Sequence, residues 1–266
     1  VNNRNEIDTR SAGASIPLLD VEGVSVSYPT PEGELAALRE VTFRLGAGEF
    51  VCIVGPSGCG KSTLLRTLSG LLTPQAGEIW LDGTPVTSPR RQVGIVFQRA
   101  NLMPWRSVLE NVLLPLELEN LPSTEANWRA KVLIELVGLG EFANTYPADL
   151  SGGMSQRVAI ARALAHDPEI LLLDEPFGSL DALTRERMGQ ELLRIWRSQG
   201  KTVLMVTHSV PEAVFLADRV LVLSPRPGTI SATVPIDLPR PRQLEVMETS
   251  SFGELAGRVR GAIRHN

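Results

Sequence analysis

Phe50-Val51-Cys52-Ile53-Val54-Gly55-Pro56-Ser57-Gly58-Cys59-Gly60-Lys61-Ser62-Thr63 decides how this chain is read. Its first five residues are all apolar, which suits a strand buried on both faces and excludes one with a solvated side. From Gly55 to Ser62 the chain matches G-x-x-x-x-G-K-[ST], and helical patterning follows from Lys61 to Leu71. Strand, glycine-rich turn and helix in that order make a phosphate cradle. Glycines let backbone N–H groups close around phosphate oxygens, and the helix N-terminus adds the positive end of its dipole. Lys61 can reach β- and γ-phosphates, and Ser62 can present its hydroxyl to Mg²⁺. Gly55, Pro56, Ser57, Gly58, Cys59, Gly60, Lys61, Ser62 and Thr63 are therefore the expected nucleotide-binding loop. Cys59 reads as a small side chain in a crowded turn, with a redox role as the alternative.

Ile170-Leu171-Leu172-Leu173-Asp174-Glu175-Pro176 is a second element of the same kind, a buried strand ending on two carboxylates. In α/β proteins ligands bind at that strand edge. Asp174 is expected to hold Mg²⁺ through water, and Glu175 to polarise an attacking water as general base. Read alone, Asp-Glu-Pro is equally an ordinary strand end; with the phosphate loop it indicates a P-loop nucleoside triphosphatase. No Asn-Lys-x-Asp guanine reader occurs, and no arginine-rich lid can be placed. A GTPase and a small-molecule kinase therefore lose ground.

Working outward, residues 1–16 are polar and read as a flexible tail. Leu19 to Tyr28 and Val41 to Leu45 alternate as antiparallel strands, with turn-rich strands up to Phe97. Residues from about 100 to 165 read as helical. Ser107 and Glu110 form a capping box ahead of Val108–Leu118. Further helices are expected over Trp128–Val137 and from Gly152 to about His166. Strand Ile170–Leu173, helix Asp181–Gln199, strand Val203–Val206 and helix Pro211–Ala217 restore β/α alternation and imply a parallel sheet. Residues 219–237 read as a closing hairpin, and 239–266 as a short tail with one helix.

Composition narrows the class. The chain has 266 residues, and 26 Lys+Arg against 30 Asp+Glu give a net charge of −4, so the basic footprint of a nucleic-acid binder is missing. With 43% hydrophobic and 21% charged residues the chain is not of disordered type. Ile170–Leu173 falls far short of the roughly 18 apolar residues of a membrane span, and the N-terminus has no apolar secretory core. Cys52 and Cys59 support neither a disulfide scaffold nor a zinc site. A soluble, cytosolic-type globular chain is expected.

Leu150-Ser151-Gly152-Gly153-Met154-Ser155-Gln156-Arg157 opens the helix Val158–Leu164. Ser151 reads as an N-cap, and two glycines leave backbone N–H groups bare at the helix start. That is a second anion site in a chain with one phosphate loop, unless the helix is merely an ordinary capped one. With Leu-Ser-Gly-Gly in place, residues 18 to about 235 resemble the ATP-binding-cassette ATPases. The fold this implies is α/β: a P-loop cassette with a RecA-like parallel-sheet core, an antiparallel β subdomain and a helical signature subdomain. The cassette spans residues 17–238, with the helical part inserted at about 99–165. The resemblance implies that Tyr28 stacks on adenine and that Gln98 senses Mg²⁺ and the γ-phosphate. It also places Asp181, in Ser179-Leu180-Asp181, at a dimer interface, and His208 on the γ-phosphate. ATP and Mg²⁺ are the implied substrate and cofactor. Two subunits would close head to tail, each nucleotide lying between one phosphate loop and the other chain's Ser151, Gly152 and Gly153.

The partners follow from the same resemblance. A single cassette without a span is similar to the separate ATPase subunit of a prokaryotic importer, working as a homodimer or as a pseudo-dimer with a second ATPase subunit. It would be peripheral on the cytoplasmic face of the plasma membrane and only indirectly linked to a solute-binding protein, with no nucleic-acid partner. Leu102, Met103 and Trp105 lie where the family receives a helix of its polytopic permease; internal packing is the alternative for Trp105. Glu175 to Arg185, Glu212 to Arg219, Leu223-Ser224-Pro225-Arg226-Pro227-Gly228 and Leu238-Pro239-Arg240-Pro241-Arg242 resemble the nitrate/sulfonate/taurine importer ATPases. Ser209 departs from the frequent Asp after the histidine. The solute stays open, and a non-transport cassette acting on nucleic-acid or protein assemblies is the competing class.

Overall fold

The computed structural model describes residues 17–31 and 33–264; the tail expected over residues 1–16 lies outside the described residues. β1 (Leu19–Thr30) and β2 (Gly33–Leu45) pair antiparallel, and with β4 (Ala76–Leu81) and β5 (Thr84–Pro85) they form a sheet of order β2-β1-β4-β5. The second sheet has the order β10-β9-β3-β8-β7-β6. Its parallel centre is β3 (Phe50–Val54), β8 (Thr202–Thr207), β7 (Ile170–Asp174) and β6 (Val93–Val96); β9 (Arg219–Leu223) runs parallel to β3 and antiparallel to β10 (Ile230–Pro235).

The unbroken apolar run of β3 has the predicted consequence. Side chains alternate across a strand. Phe50, Cys52 and Val54 enter a larger core beneath the helices, and Val51 and Ile53 enter a second core shared with α1 (Lys61–Leu68) and the antiparallel sheet. Burying each such side chain is worth about 1.5–3 kcal/mol, so a charge anywhere along this strand would break one core or the other.

Between β6 and β7 lie α2 (Val108–Leu118), α3 (Ser123–Leu136) and α4 (Gly152–Leu164). The capping box at α2 is complete: Glu110 N donates to Ser107 Oγ at 3.3 Å and Ser107 N to Glu110 Oε2 at 2.7 Å. α3 starts five residues before the expected Trp128, because Ser123-Thr124-Glu125 is a polar first turn without apolar period. β2 is longer than its expected Val41–Leu45. Its first half, Gly33–Glu40, is rich in helix-forming residues and is held extended by pairing with β1 from Val26 to Thr30.

Beyond β7 come α5 (Ala182–Gln199), α6 (Val210–Leu216) and, after β10, α7 (Ser250–Arg264). The expected C-terminal tail is packed: Phe252, Leu255 and Val259 of α7 are buried in the larger core. Arg240 ion-pairs with Asp218 at 2.7 Å and sits 4.3 Å over the Trp196 ring. Arg242, 6% exposed, donates to five backbone carbonyls, three of them on Val214, Phe215 and Ala217 at the end of α6. Arg240-Pro241-Arg242 thus ties the segment after β10 to α6.

Candidate active site

Four strand ends meet at one edge of the larger sheet. Parallel register pairs Val54 with Thr207, Asp174 with Val206, and Val96 with Leu173. The chain leaving β3, β8, β7 and β6 therefore carries Gly55, His208, Glu175 and Gln98 to the same side, where open α/β sheets bind their ligands.

The phosphate loop is shaped by its neighbours. Gly60 has a φ of +107°, and a Cβ there would lie 2.7 Å from Leu38 Cδ2 and 2.8 Å from Ala37 O. Only glycine fits, and the antiparallel sheet bears directly on the loop. The N-cap Gly60 has no side chain to cap α1, so the first N–H groups of the helix face the loop without an intrahelical partner. Lys61, 6% exposed, points its Nζ back into the loop, donating to Gly55 O at 3.0 Å and Pro56 O at 3.1 Å. Cys59 is buried, and burial pushes its thiol up, which favours the small-side-chain reading over redox chemistry.

Opposite the loop stand the two carboxylates. Ser62 Oγ donates to Asp174 Oδ1 at 3.0 Å. Burial pushes the Asp174 carboxyl above its ordinary value, Ser62 pulls it back, and Glu175 adds to the push. Glu175 has a φ of +44°, a conformation that costs a non-glycine residue about 1–3 kcal/mol and is typical of functional sites. Its Oε2 lies 3.0 Å from His208 Nδ1 and its Oε1 3.9 Å from Lys61 Nζ. Gln98 reaches the same corner: a Cβ built on Gly178 would stand 3.6 Å from both Gln98 Nε2 and Glu175 Oε2. Tyr28 closes the other end, with its hydroxyl 3.2 Å from Thr63 Oγ1. The resulting cleft of about 300 Å³ is lined by Tyr28, Leu35, Ala37, Lys61, Glu175 and Arg226, among others.

Ser151, Gly152, Gly153 and Asp181 do not line this cleft. Ser151 caps α4 by accepting from Met154 N at 3.3 Å. Cβ atoms on Gly152 and Gly153 would lie 3.4 Å from Leu180 and 3.5 Å from Thr184, so the loop packs beside the start of α5. Asp181 caps α5 by accepting from Thr184 N at 3.0 Å, and its bonds to Thr184 hold its carboxyl below the usual range. Trp105 is 71% exposed, whereas Leu102 is partly buried against the larger core.

Several residues of the site escape a reading by motif. Arg226 donates through Nε and Nη2 to Gly58 O at 3.0 and 2.9 Å across 168 residues of chain. Gln156, buried in α4, donates to Phe97 O at 3.1 Å and Gln98 O at 3.4 Å; Arg162 of the same helix donates to Ala100 O at 2.7 Å and Asn101 O at 2.9 Å. The helix that opens at Ser151 thereby holds the segment carrying Gln98. The capping and periodicity rules concern contacts within one element and give no signal for such bonds. A larger cleft, about 550 Å³, lies between α5 and residues 240–243. Its guanidiniums on Arg194, Arg240 and Arg242 are already bonded to Glu191, Asp218 and backbone carbonyls.

The arrangement can cradle a triphosphate on Lys61 and bare N–H groups while a carboxylate and an imidazole face its end. Comparisons with known proteins agree. Residues 38–178 match the ABC transporter family model. The nitrate import ATP-binding protein of Synechococcus elongatus is 43% identical over 94% of this chain and 92% of its own length. The taurine import ATP-binding protein of Rhizobium johnstonii is 46% identical, with 94% and 97% covered. Among solved structures, a dimeric ATP-binding cassette in a post-hydrolysis state with ADP and Pi superposes with a TM-score of 0.74 at 36% identity, covering 83% of this chain and 99% of that one. The chain belongs to the ABC transporter family, as an ATP-binding cassette with ATPase activity.

Proposed function

We propose that this chain is the energy-coupling subunit of a prokaryotic importer, hydrolysing ATP to drive uptake of a small solute of the nitrate, alkanesulfonate or taurine type. The observation that carries the chemistry is Glu175, placed between His208 and Lys61 at the mouth of the cleft. Import is supported by the nitrate and taurine relatives, whose names weigh against a cassette acting on nucleic acid. In this reading Tyr28 stacks on adenine, while Lys61 and the loop N–H groups bind the β- and γ-phosphates. Glu175 accepts the proton of the attacking water, and His208 orients the γ-phosphate. Ser62, Asp174 and Gln98 fit Mg²⁺, because they offer the hydroxyl, carboxylate and amide oxygens that a hard cation takes. Bound there, the ion neutralises charge on the phosphate oxygens.

Ser151, Gly152 and Gly153 serve the nucleotide of a second subunit, and Asp181 faces that subunit. A permease helix docks beside Leu102, Met103 and Trp105, and the exposed Trp105 ring favours docking over internal packing. None of the described helices is long and apolar enough to cross a membrane; the permease holds the chain on the cytoplasmic face. The test is Glu175→Gln: ATP binding persists and an ATP-bound dimer accumulates on sizing columns. Hydrolysis at the wild-type rate in this variant would remove Glu175 from the role of base.

A further inference from the structure

The Thr207-His208-Ser209 peptide is pinned from behind by a carboxylate on the next helix. A serine N-cap normally shares a capping box with a glutamate at the third helical position, which accepts the N-cap backbone N–H. Here Ser209 caps α6 and accepts from Glu212 N at 3.4 Å, so Glu212 occupies that third position. The second half of the box runs through an intermediary. Ser209 N donates to Thr207 Oγ1 at 3.0 Å, and Thr207 Oγ1 donates to Glu212 Oε2. One hydroxyl thus fixes both flanks of His208.

The relay is protected from water. Thr207 is 2% exposed and Glu212 9%, and the remaining oxygen of Glu212, Oε1, is buried without a hydrogen-bond partner among the described residues. Among the described residues the one hydrogen bond accepted by this carboxylate, kept there despite the cost of its burial, comes from Thr207, with Arg185 and His208 adding favourable charge. The result appears at His208, whose Nδ1 stands 3.0 Å from Glu175 Oε2 although half of its side chain is exposed. A half-exposed ring has few packing contacts to aim it; its backbone must do so.

We propose that Glu212 is a positioning residue for ATP hydrolysis, acting through the Thr207 hydroxyl to hold His208 against Glu175. The inference rests on the hydrolytic reading above and deepens it. Among the described residues Glu212 bonds to Thr207 and Ser209 and not to the phosphate loop, so the proposal predicts an effect on turnover and not on binding.

The experiment is a double-mutant cycle on the full chain, with Glu212→Ala, Thr207→Val and the pair, read by steady-state ATPase kinetics and a fluorescent-nucleotide binding titration. Each single variant should lower kcat by about tenfold to a hundredfold, the scale of a misplaced catalytic group, with KM for ATP changed less than about threefold. The double variant should be no slower than the worse single one. Glu212→Gln, which keeps an acceptor oxygen for Thr207, should restore most of the wild-type rate. Wild-type turnover in either single variant, a loss confined to KM, multiplied losses in the pair or an inactive Glu212→Gln would each overturn the proposal. Should Glu212→Ala fail to fold, the near-isosteric Thr207→Val decides alone. An inactive wild type that still binds nucleotide would sink the hydrolytic reading instead, before any variant is compared.

Discussion

Arg242→Met tests the C-terminal staple and separates two opposed effects. Arg242 Nη1 donates to Val214 O at 3.2 Å, Phe215 O at 2.9 Å and Ala217 O at 2.7 Å, and Nη2 to Ile236 O and Leu238 O, each at 3.3 Å. Among the described residues it has no ion-pair partner, and burial pushes its guanidinium down to about 10, so it stays charged at neutral pH. Hydrogen bonds to charged groups contribute about 1.5–3 kcal/mol each. Desolvating an unpaired guanidinium costs several kcal/mol in return, which methionine would recover. The carbonyls decide the sign. Those at the end of α6 have no intrahelical donor, and methionine of similar length fills the space without offering one. We expect a net loss of about 3 kcal/mol, and at about 2–4 °C per kcal/mol a Tm lowered by about 6–12 °C. Scanning fluorimetry without nucleotide measures it, with Arg242→Lys falling between. A Tm within about 2 °C of wild type would mean that desolvation outweighs the five bonds.

Two further predictions use buried groups. Burial raises the Glu212 carboxyl above its ordinary value, opposed by Thr207, Arg185 and His208 and reinforced by Glu175. A raised folded-state value means that its contribution to stability is full below the ordinary carboxyl pKa of about 4.3 and is lost as pH rises through the folded value. The Tm of Glu212→Gln should therefore gain on wild type as pH is raised from 4 to about 8; a gap that does not move with pH would contradict this. Cys52 and Cys59 are both buried with thiols pushed up by burial, so neither should react with iodoacetamide in the native protein near pH 7.5. Rapid labelling of either, read by mass spectrometry, would show that the phosphate loop opens far more than its packing implies.

Much of the site could be read from sequence because its parts obey local rules. An all-apolar strand ahead of Gly55, a lysine opening a helix and carboxylates closing Ile170–Leu173 are each defined within a few residues. So is the capping box at Ser107 and Glu110, which formed as expected. Where the local signal was weak, boundaries moved. The helix formers Glu34, Leu35, Ala36 and Ala37 sit in a strand because β1 offers them hydrogen bonds. The start of α3 was hidden by a polar first turn.

The sequence by itself determined the chemistry on offer: a lysine and glycines for phosphate, two carboxylates, a histidine and a glutamine, each in a segment whose own pattern announces it. Tertiary structure alone decided how they combine. Parallel register brings Glu175 and His208 to 3.0 Å, and leaves Ser151 and Gly153 outside the cleft that their own chain's Lys61 lines. It also recruited Arg226, Gln156 and Glu212, whose partners are backbone carbonyls or a hydroxyl. Every residue carries a backbone carbonyl, so the sequence has no way to mark which ones a distant side chain will meet. Only packing, by burying those acceptors beside a donor, makes the bond obligatory.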